Sequence, residues 1–257
     1  MNIFFISLPK SEDRRERLSK NLNEFNFIGT HIEGVDGRLL NNDEYKNLIA
    51  DKLQIDPNKL TYEYFSNKSN FNCMERDINY IMSKVGCFLS HFLCLHQAVE
   101  NNLSSLLILE DDSIIKKNLN FEYPYNSSVV YLGGTFYHKK VDPEYIKNRN
   151  SKFFKINSEY LTVYGGFGYF IPNREALLHL YSIYRRCFLD GKPKRKYCES
   201  GRLLAVVADR MLINYLQKEG NACVVNPQLI TTDYEFPSTI SDKPKYIKQQ
   251  KNMSFTY

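Results

Sequence analysis

The chain has 257 residues, of which 43% are hydrophobic and 25% are charged, which is typical of a globular protein with one large domain or two small ones. A wholly disordered chain is therefore excluded. Lys and Arg number 34 against 29 Asp and Glu, and the net charge of +5 is too small to indicate nucleic-acid binding. It is compatible with an anionic ligand or a membrane surface. No apolar run approaches the ~20 residues of a transmembrane helix.

The N-terminal region reads as strand, helix, strand and turn. Residues 3–8 form a short apolar run without the basic start or the cleavage site of a signal peptide, and they predict a buried first strand. Ser11 is the expected N-cap of a helix whose apolar residues follow at helical spacing. Residues 26–31 predict a second strand, and the glycines and acids of 33–37 predict a tight turn.

The middle of the chain contains the clearest elements. Residues 41–80 are polar and rich in tyrosine, and we expect a helical insertion or a lid there. Residues 86–101 predict an amphipathic helix. Residues 106–109 are apolar without alternation, as in a central strand that is covered on both faces, and 129–132 predict a further strand.

The C-terminal third predicts a strand over 166–171 and then a helix with Pro172 in its first turn. A second helix is expected over 202–218, ending at Gly220. From Pro227 onward we expect loose structure, and 243–257 form a basic tail outside a main domain of residues 1–242. Alternating strands and helices favour an α/β fold with a mainly parallel sheet.

Six cysteines occur without any Cys-x-x-Cys pair, and several fall in apolar helical patterns. A disulfide framework or a zinc knuckle is therefore not expected. Reduced, mostly buried thiols predict a cytoplasmic protein.

Three consecutive acids, Glu110, Asp111 and Asp112, follow the predicted central strand directly. Ligands of open α/β sheets bind beyond the carboxyl ends of the strands. Three adjacent negative charges are unfavourable there unless a cation compensates them, and oxygen ligands suit Mg²⁺ or Mn²⁺, which also bind diphosphates. A solvated acidic turn is the alternative.

Several motifs occur in the order in which one enzyme family has them. They are Ile6-Ser7-Leu8 with Ser11 and Arg14, Gly34-Val35-Asp36-Gly37, Gly86-Cys87-Phe88-Leu89-Ser90-His91, Leu107-Ile108-Leu109-Glu110-Asp111-Asp112, Gly133-Gly134-Thr135, Gly168-Tyr169-Phe170-Ile171-Pro172, Ala208-Asp209 and Ser238-Thr239-Ile240. This ordered set resembles glycosyltransferase family 25, the bacterial lipooligosaccharide galactosyltransferases and their collagen-modifying relatives.

The resemblance implies a GT-A-type nucleotide-diphospho-sugar transferase fold, an α/β fold with a mainly parallel central sheet flanked by helices. It also implies metal-assisted sugar transfer with inversion at the anomeric carbon. The acidic triplet is similar to the Asp-x-Asp element of that fold, with Glu110 or Asp111 towards the ribose. Asp112 and Asp111 would be the ligands of Mn²⁺ (or Mg²⁺).

The resemblance also marks residues that would bind the donor. They are Leu8, Ser11, Arg14, Asp36, Gly37, Ser90, His91, Glu110, Asp111, Gly134 and Thr135. A helix N-terminus and an arginine favour anions, and a glycine lets backbone approach a sugar closely. The alternatives stay open: a solvated arginine for Arg14, a turn-capping Asp36, a packed His91 and a plain turn at Gly134.

Inverting transfer needs a base to deprotonate the acceptor hydroxyl. Asp209 lies within the apolar pattern of 203–216, where an acid is unfavourable unless partnered, and it is the expected catalytic residue. Glu175 and Asp233 are the next candidates, and a salt bridge from Asp209 to a nearby arginine is the structural alternative.

The sequence therefore predicts transfer of galactose from UDP-galactose to a lipooligosaccharide or lipopolysaccharide acceptor. A UDP-glucose-dependent enzyme and a non-catalytic nucleotide-sugar-binding protein are the alternatives. The basic run at 192–196 and the tail could contact anionic lipid, which predicts a cytoplasmic protein, peripheral on the inner membrane. No nucleic-acid partner is expected.

Overall fold

The computed structural model describes residues 1–68, 78–124, 126–138, 151–164, 167–189, 208, 212–217 and 222–233. The strands are β1 Ile3–Ser7, β2 Thr30–Glu33, β3 Leu106–Glu110, β4 Ser113–Ile115, β5 Val129–Tyr131, β6 Thr135–His138, β7 Phe153–Lys155, β8 Leu161–Tyr164, β9 Gly168–Ile171, β10 Ala222–Val225 and β11 Ile230–Thr232. The helices are α1 Glu12–Glu24, α2 Asp43–Leu53, α3 Tyr62–Lys68, α4 Ile78–Glu100 and α5 Arg174–Leu189.

Seven of the described strands form one sheet in the order β2-β1-β3-β9-β5-β10-β7. Five of these seven point the same way, and β9 and β7 are antiparallel to their neighbours. The predicted α/β fold with a mainly parallel sheet flanked by helices is confirmed. Two further ladders, β4 with β11 and β6 with β8, pair antiparallel.

The two faces of the sheet divide the core. Leu106 and Ile108 on β3 pack in the cluster that also contains α4, whereas Leu107 and Leu109 pack in the cluster that contains Leu18 of α1. These four apolar side chains are fully buried, and each stabilises the fold by about 1.5–3 kcal/mol through burial. This two-sided cover explains why the run has no alternation of polar and apolar residues.

Several element boundaries differ from the predicted ones. β2 begins at Thr30 instead of residue 26, because Asn26 adopts a φ of 60° and the chain is still turning after α1. α5 begins after Asn173, whose side chain accepts a hydrogen bond from the Ala176 amide, so Pro172 lies outside the helix. The loose structure expected from 227 onward is wrong for β11, which pairs with β4.

The segment predicted as an insertion or lid is described up to residue 68. It contains α2, a short 3₁₀ helix at Pro57–Lys59 and α3, and it buries Ile49, Leu53 and Phe65 in the core cluster of α4. Its role as a lid stays a prediction.

Of the C-terminal helix expected over 202–218, residue 208 and a π-type turn at Leu212–Gln217 are described. Gly220, the basic run at 192–196 and the tail 243–257 lie outside the described residues.

Cys94, Cys187 and Cys223 are buried, Cys87 is partly buried, and these described cysteines form no disulfide. Cys73 and Cys198 lie outside the described residues. Within the described chain, α4 is the one helix whose length and apolar composition would allow it to cross a membrane. Because 67% of its apolar window is buried inside the protein, as in a core helix, this is weak evidence for a span.

Candidate active site

A cleft that encloses about 540 Å³, open solvent included, lies where the parallel strands β1, β2 and β3 end. Seven of the residues predicted to bind the donor line it: Leu8, Asp36, Gly37, Ser90, His91, Glu110 and Asp111. The cleft therefore brings together the ends of three strands, one wall of α4 and the turn after β2.

The turn at 35–37 is held against α4 by backbone contact. A Cβ on Gly37 would lie 1.7 Å from the Met82 carbonyl oxygen, and one on Gly86 would lie 2.4 Å from the Val35 carbonyl oxygen. Only glycine allows this approach at both positions. The Ser90 hydroxyl accepts from the Val35 amide at 2.8 Å and donates to the Gly86 carbonyl at 2.7 Å, so it joins the turn to the helix.

Asp36 forms a charged group at the cleft with two cations that the sequence did not single out. Its carboxylate accepts from the Arg38 guanidinium at 2.6 and 2.7 Å and from the Lys10 ammonium at 3.0 Å. Partial burial disfavours the ionised form, but these hydrogen bonds outweigh it and lower the pKa of Asp36 to about 2. Asp36 is therefore an ionised acceptor that can bind a hydroxyl or N–H donor of a ligand.

Glu110 faces α4. Its carboxylate lies 3.1 Å from His91 Nε2, and His91 Nδ1 lies 2.9 Å from the Tyr169 hydroxyl. Burial keeps the pKa of Tyr169 well above 10, so the phenol stays protonated. A carboxylate can only accept, which assigns the imidazole proton to Nε2 and leaves Nδ1 to accept from Tyr169. This chain of hydrogen bonds fixes Glu110 on the cleft wall.

Asp111 faces α1, because successive strand residues point to opposite sides. Its carboxylate accepts from the Arg14 guanidinium at 2.7 Å, and both residues are buried. Burial raises the pKa of Asp111 and the charge of Arg14 opposes that rise. The Arg17 guanidinium donates to the Asp111 carbonyl and pairs with Asp233. Arg14 thus binds the acidic triplet and does not line the cleft.

Asp112 contacts β11 and does not line the cleft. Its carbonyl accepts from the Asp233 amide at 2.7 Å, and its side chain is hydrogen-bonded to Thr232. Although the residue is partly exposed, its Oδ1 atom is buried without a hydrogen-bond partner among the described residues. Burial, reinforced by the charges of Glu110 and Asp111, raises the pKa of Asp112 to about 7. A cation bound at Oδ1 would offset the cost of burying the ionised Asp112 carboxylate.

The remaining predicted residues lie elsewhere or are not described. Ser11 lies at the N-cap position before α1, as predicted, but its side chain makes no cap hydrogen bond and it does not line the cleft. Gly134 exchanges backbone hydrogen bonds with the Gln228 side chain, next to Thr135 at the start of β6, and neither lines the cleft. Asp209, the expected base, lies outside the described residues.

The family model "Glycosyltransferase family 25 (LPS biosynthesis protein)" matches residues 1–186, which is most of the chain. The chain belongs to glycosyltransferase family 25. Its matched part contains the whole lining of the cleft, from Ile6 to Asp111.

Curated relatives in the family differ in their described activity. The chain is 32% identical over 118 residues to the human protein "Inactive glycosyltransferase 25 family member 3", covering 45% of this chain and 17% of the relative. It is 27% identical over 144 residues to human "Procollagen galactosyltransferase 2", covering 56% and 20%. A Drosophila melanogaster "Glycosyltransferase 25 family member" is 28% identical over 110 residues, covering 43% and 16%. The chain thus matches about a fifth of the length of these family 25 proteins.

Among solved structures, a nucleoside-diphosphate-sugar pyrophosphorylase from Vibrio cholerae covers 56% of this chain and 59% of its own, with 15% identity and a TM-score of 0.30.

Proposed function

We propose that this family 25 chain is a metal-dependent, inverting glycosyltransferase that moves galactose from UDP-galactose to a lipooligosaccharide or lipopolysaccharide acceptor. The observation that carries the proposal is the cleft at the ends of three parallel strands, lined by Glu110 and Asp111 with Asp112 next to them in the chain. The family description names lipopolysaccharide biosynthesis, and some relatives are named galactosyltransferases, which supports this donor and acceptor class.

The residues present fit a divalent cation. Asp112 offers a buried oxygen without a partner among the described residues, beside two further acids. Asp112 would hold Mn²⁺ or Mg²⁺, with Asp111 as the second protein ligand, and one or two protein carboxylates suffice when a diphosphate fills further positions. When bound, the ion would supply positive charge to the leaving diphosphate.

The chain's own cleft residues account for donor binding. Asp36 is ionised and can accept from a ribose hydroxyl or a base N–H, while Lys10 and Arg38 beside it offer positive charge to phosphate oxygens. His91 and Tyr169 hold Glu110 in place, so that its carboxylate can accept from a donor hydroxyl. Arg14 does the same for Asp111 from the other side of β3.

Deprotonation of the acceptor is assigned to Asp209, on the sequence argument alone. In an inverting transfer the base removes the proton of the acceptor hydroxyl as that oxygen attacks the anomeric carbon, and UDP leaves from the opposite face. An Asp209→Asn variant should therefore bind UDP-galactose normally and transfer galactose very slowly.

A non-catalytic role is the second candidate, because several relatives are named inactive. Such a protein would bind UDP in the same cleft and release no UDP from any sugar donor. A UDP-glucose-dependent enzyme would differ only in the donor that supports turnover. A thermal-shift screen of UDP-sugars with Mn²⁺ identifies the donor, since a ligand of the native state raises the melting temperature.

The decisive experiment measures UDP release with UDP-galactose, Mn²⁺ and truncated lipooligosaccharide. The wild type should turn over only with a divalent ion, and Asp112→Ala should lose that turnover. The matched control is Asp51→Ala, which removes an exposed acid on α2, far from the triplet in sequence. Unchanged turnover of Asp112→Ala would refute the metal assignment, and UDP binding without UDP release would favour the non-catalytic role.

Attachment to the cytoplasmic face of the inner membrane is part of the same proposal and rests on the basic segments at 192–196 and 243–257. Each basic residue near an anionic surface contributes about 1 kcal/mol, and salt screens this attraction. The protein should co-sediment with anionic vesicles at low salt and be released at high salt. A protein that stays in solution with the vesicles at both low and high salt would refute the proposed membrane attachment.

A further inference from the structure

Cys87, His91 and Glu110 form a compact group on the α4 side of the cleft. One ligand atom from each lies within 4.8 Å of the other two. Cys87 and His91 are one helical turn apart on α4, so their side chains share a face, and Glu110 reaches them from the end of β3. Thiolate, imidazole and carboxylate are each among the ligands that bind zinc in proteins.

We propose that Cys87, His91 and Glu110 bind a thiophilic divalent cation of the Zn²⁺ class, at a site separate from the carboxylate site of Asp112. The chemistry of the donor atoms sets the two apart. Mg²⁺ and Mn²⁺ prefer oxygen ligands, whereas a cysteine thiolate selects zinc. The proposal does not depend on the proposed transferase activity, because it concerns metal binding alone.

The distances fit a tetrahedral ion after a small adjustment. Zinc bonds of about 2.0–2.1 Å to nitrogen and oxygen would place two such ligand atoms about 3.3 Å apart, and a bond of about 2.3 Å to sulfur would place Sγ about 3.6 Å from either. His91 Nε2 and the Glu110 carboxylate are already 3.1 Å apart. Since no pair exceeds 4.8 Å, Sγ needs to move by little more than about 1 Å, which a side-chain rotation can supply.

A second shell for the ion is present. Metal-bound histidines usually hydrogen-bond through their other ring nitrogen, which fixes the ring. His91 Nδ1 lies 2.9 Å from the Tyr169 hydroxyl, and both residues are buried. On metal binding at Nε2, the imidazole proton moves to Nδ1 and is donated to the Tyr169 oxygen. The Cys87 thiol releases its proton to solvent as the sulfur–metal bond forms.

The site has one open position. Three protein ligands leave the fourth corner of a tetrahedron for water or another ligand, as in zinc sites that exchange ligands. All three side chains line the cleft, so that corner faces the cleft interior. With one thiolate and one carboxylate, the occupied site carries no net charge, which favours an ion on a partly buried wall.

Cobalt provides the test, because a Co²⁺–thiolate bond gives a charge-transfer absorption that Mn²⁺ bound to carboxylates does not. One equivalent of Co²⁺ should produce this band in the full-length protein, and one equivalent of Zn²⁺ should remove it. Cys87→Ala should abolish the band, with Cys87→Ser as the second variant if the alanine protein does not fold. Tyr169→Phe should weaken Co²⁺ binding at least about 10-fold while keeping the band.

Three controls separate this site from other sources of the signal. Cys73→Ala and Cys198→Ala should keep the band, which excludes the two cysteines outside the described residues. Asp112→Asn should keep the band while losing Mn²⁺ binding, so that failure of the transferase proposal is distinguishable from failure of this one. No band in the wild type, or a band that survives in both Cys87 variants, would overturn the proposal.

Discussion

The most informative perturbation is Asp112→Asn, studied as a function of pH without added metal. The folded protein raises the pKa of Asp112 from 3.8 to about 7, so ionised Asp112 is disfavoured in the native state. Each tenfold change in an acid constant corresponds to about 1.4 kcal/mol, which gives a penalty on the order of 4 kcal/mol. Because the residue is partly exposed, solvent screening lowers this to about 2–4 kcal/mol.

The direction of the pH effect follows from the raised pKa. Below the unfolded pKa of 3.8, Asp112 is protonated in both states and the native protein has its full stability. As the pH rises from 3.8 towards 7, the unfolded state loses the Asp112 proton while the native state keeps it, so the free energy of unfolding falls. Above about pH 7 both states are ionised and the loss is complete. Asparagine does not ionise, so the melting temperature of Asp112→Asn should gain on the wild type between pH 4 and pH 8, by roughly 5–15 °C for a chain of this size.

Thermal denaturation with and without Mn²⁺ checks this reasoning. At pH 8, excess Mn²⁺ should raise the melting temperature of the wild type, because the ion compensates ionised Asp112, and it should leave Asp112→Asn unchanged. The control Asp51→Asn, which changes an exposed acid, should gain in melting temperature with Mn²⁺ as the wild type does. A stability difference that is the same at every pH, or equal stabilisation of both proteins by Mn²⁺, would refute the assignment of a strained, metal-binding Asp112.

Two further predictions concern the support of the cleft. Gly37→Ala should destabilise the protein by about 1–3 kcal/mol in urea denaturation and weaken UDP binding, because the added methyl meets the Met82 backbone carbonyl. Gly29→Ala, whose methyl meets side-chain atoms of Leu22 and Phe5 and no backbone atom among the nearest three, should cost less and leave UDP binding unchanged. Arg14→Leu should destabilise the protein by about 3–5 kcal/mol, because it leaves the Asp111 carboxylate buried without its partner, and adding Asp111→Asn should restore part of the loss. An exposed ion pair contributes at most about 1 kcal/mol. If the free energy of unfolding of Arg14→Leu lies within that range of the wild type, the buried pairing of Arg14 with Asp111 is contradicted.

Much of the sheet could be predicted because burial leaves a direct mark on the sequence. The unbroken apolar run of β3 indicated a strand covered on both faces, and the structure has it between β1 and β9. The strands β4, β6, β7, β8, β10 and β11 have three or four residues each and were not predicted, because so short a run has no period to detect. The equally short β5 and β9 were predicted because their apolar runs end at Gly133 and at Pro172. The start of β2 was placed too early because nothing local showed that Asn26 adopts a left-handed conformation.

The position of the cleft could be predicted from the sequence, but the hydrogen bonds and ion pairs around it could not. Glu110 and Asp111 at the strand end, the turn at 35–37 and His91 were all singled out and line one cleft. Lys10 and Arg38 were missed because their role depends on their contact with Asp36 in the folded chain, which no spacing along the sequence reveals. The interval of four between Cys87 and His91 was a usable signal, since residues so spaced share a helix face.

The acidic triplet shows why a motif underdetermines a site. Along the chain, the three carboxylates are equivalent neighbours, yet the alternation of an extended chain sends Glu110 towards α4 and Asp111 towards α1. The first is held by an imidazole and the second by a guanidinium, so the partners of both are set by helices that are distant in sequence. Asp112, after the strand, meets β11 and keeps a buried oxygen without a partner among the described residues. A cation bound at this oxygen would satisfy it and would be attracted by the charges of Glu110 and Asp111, so the proposed metal site depends on Asp112 and not on the triplet as a whole.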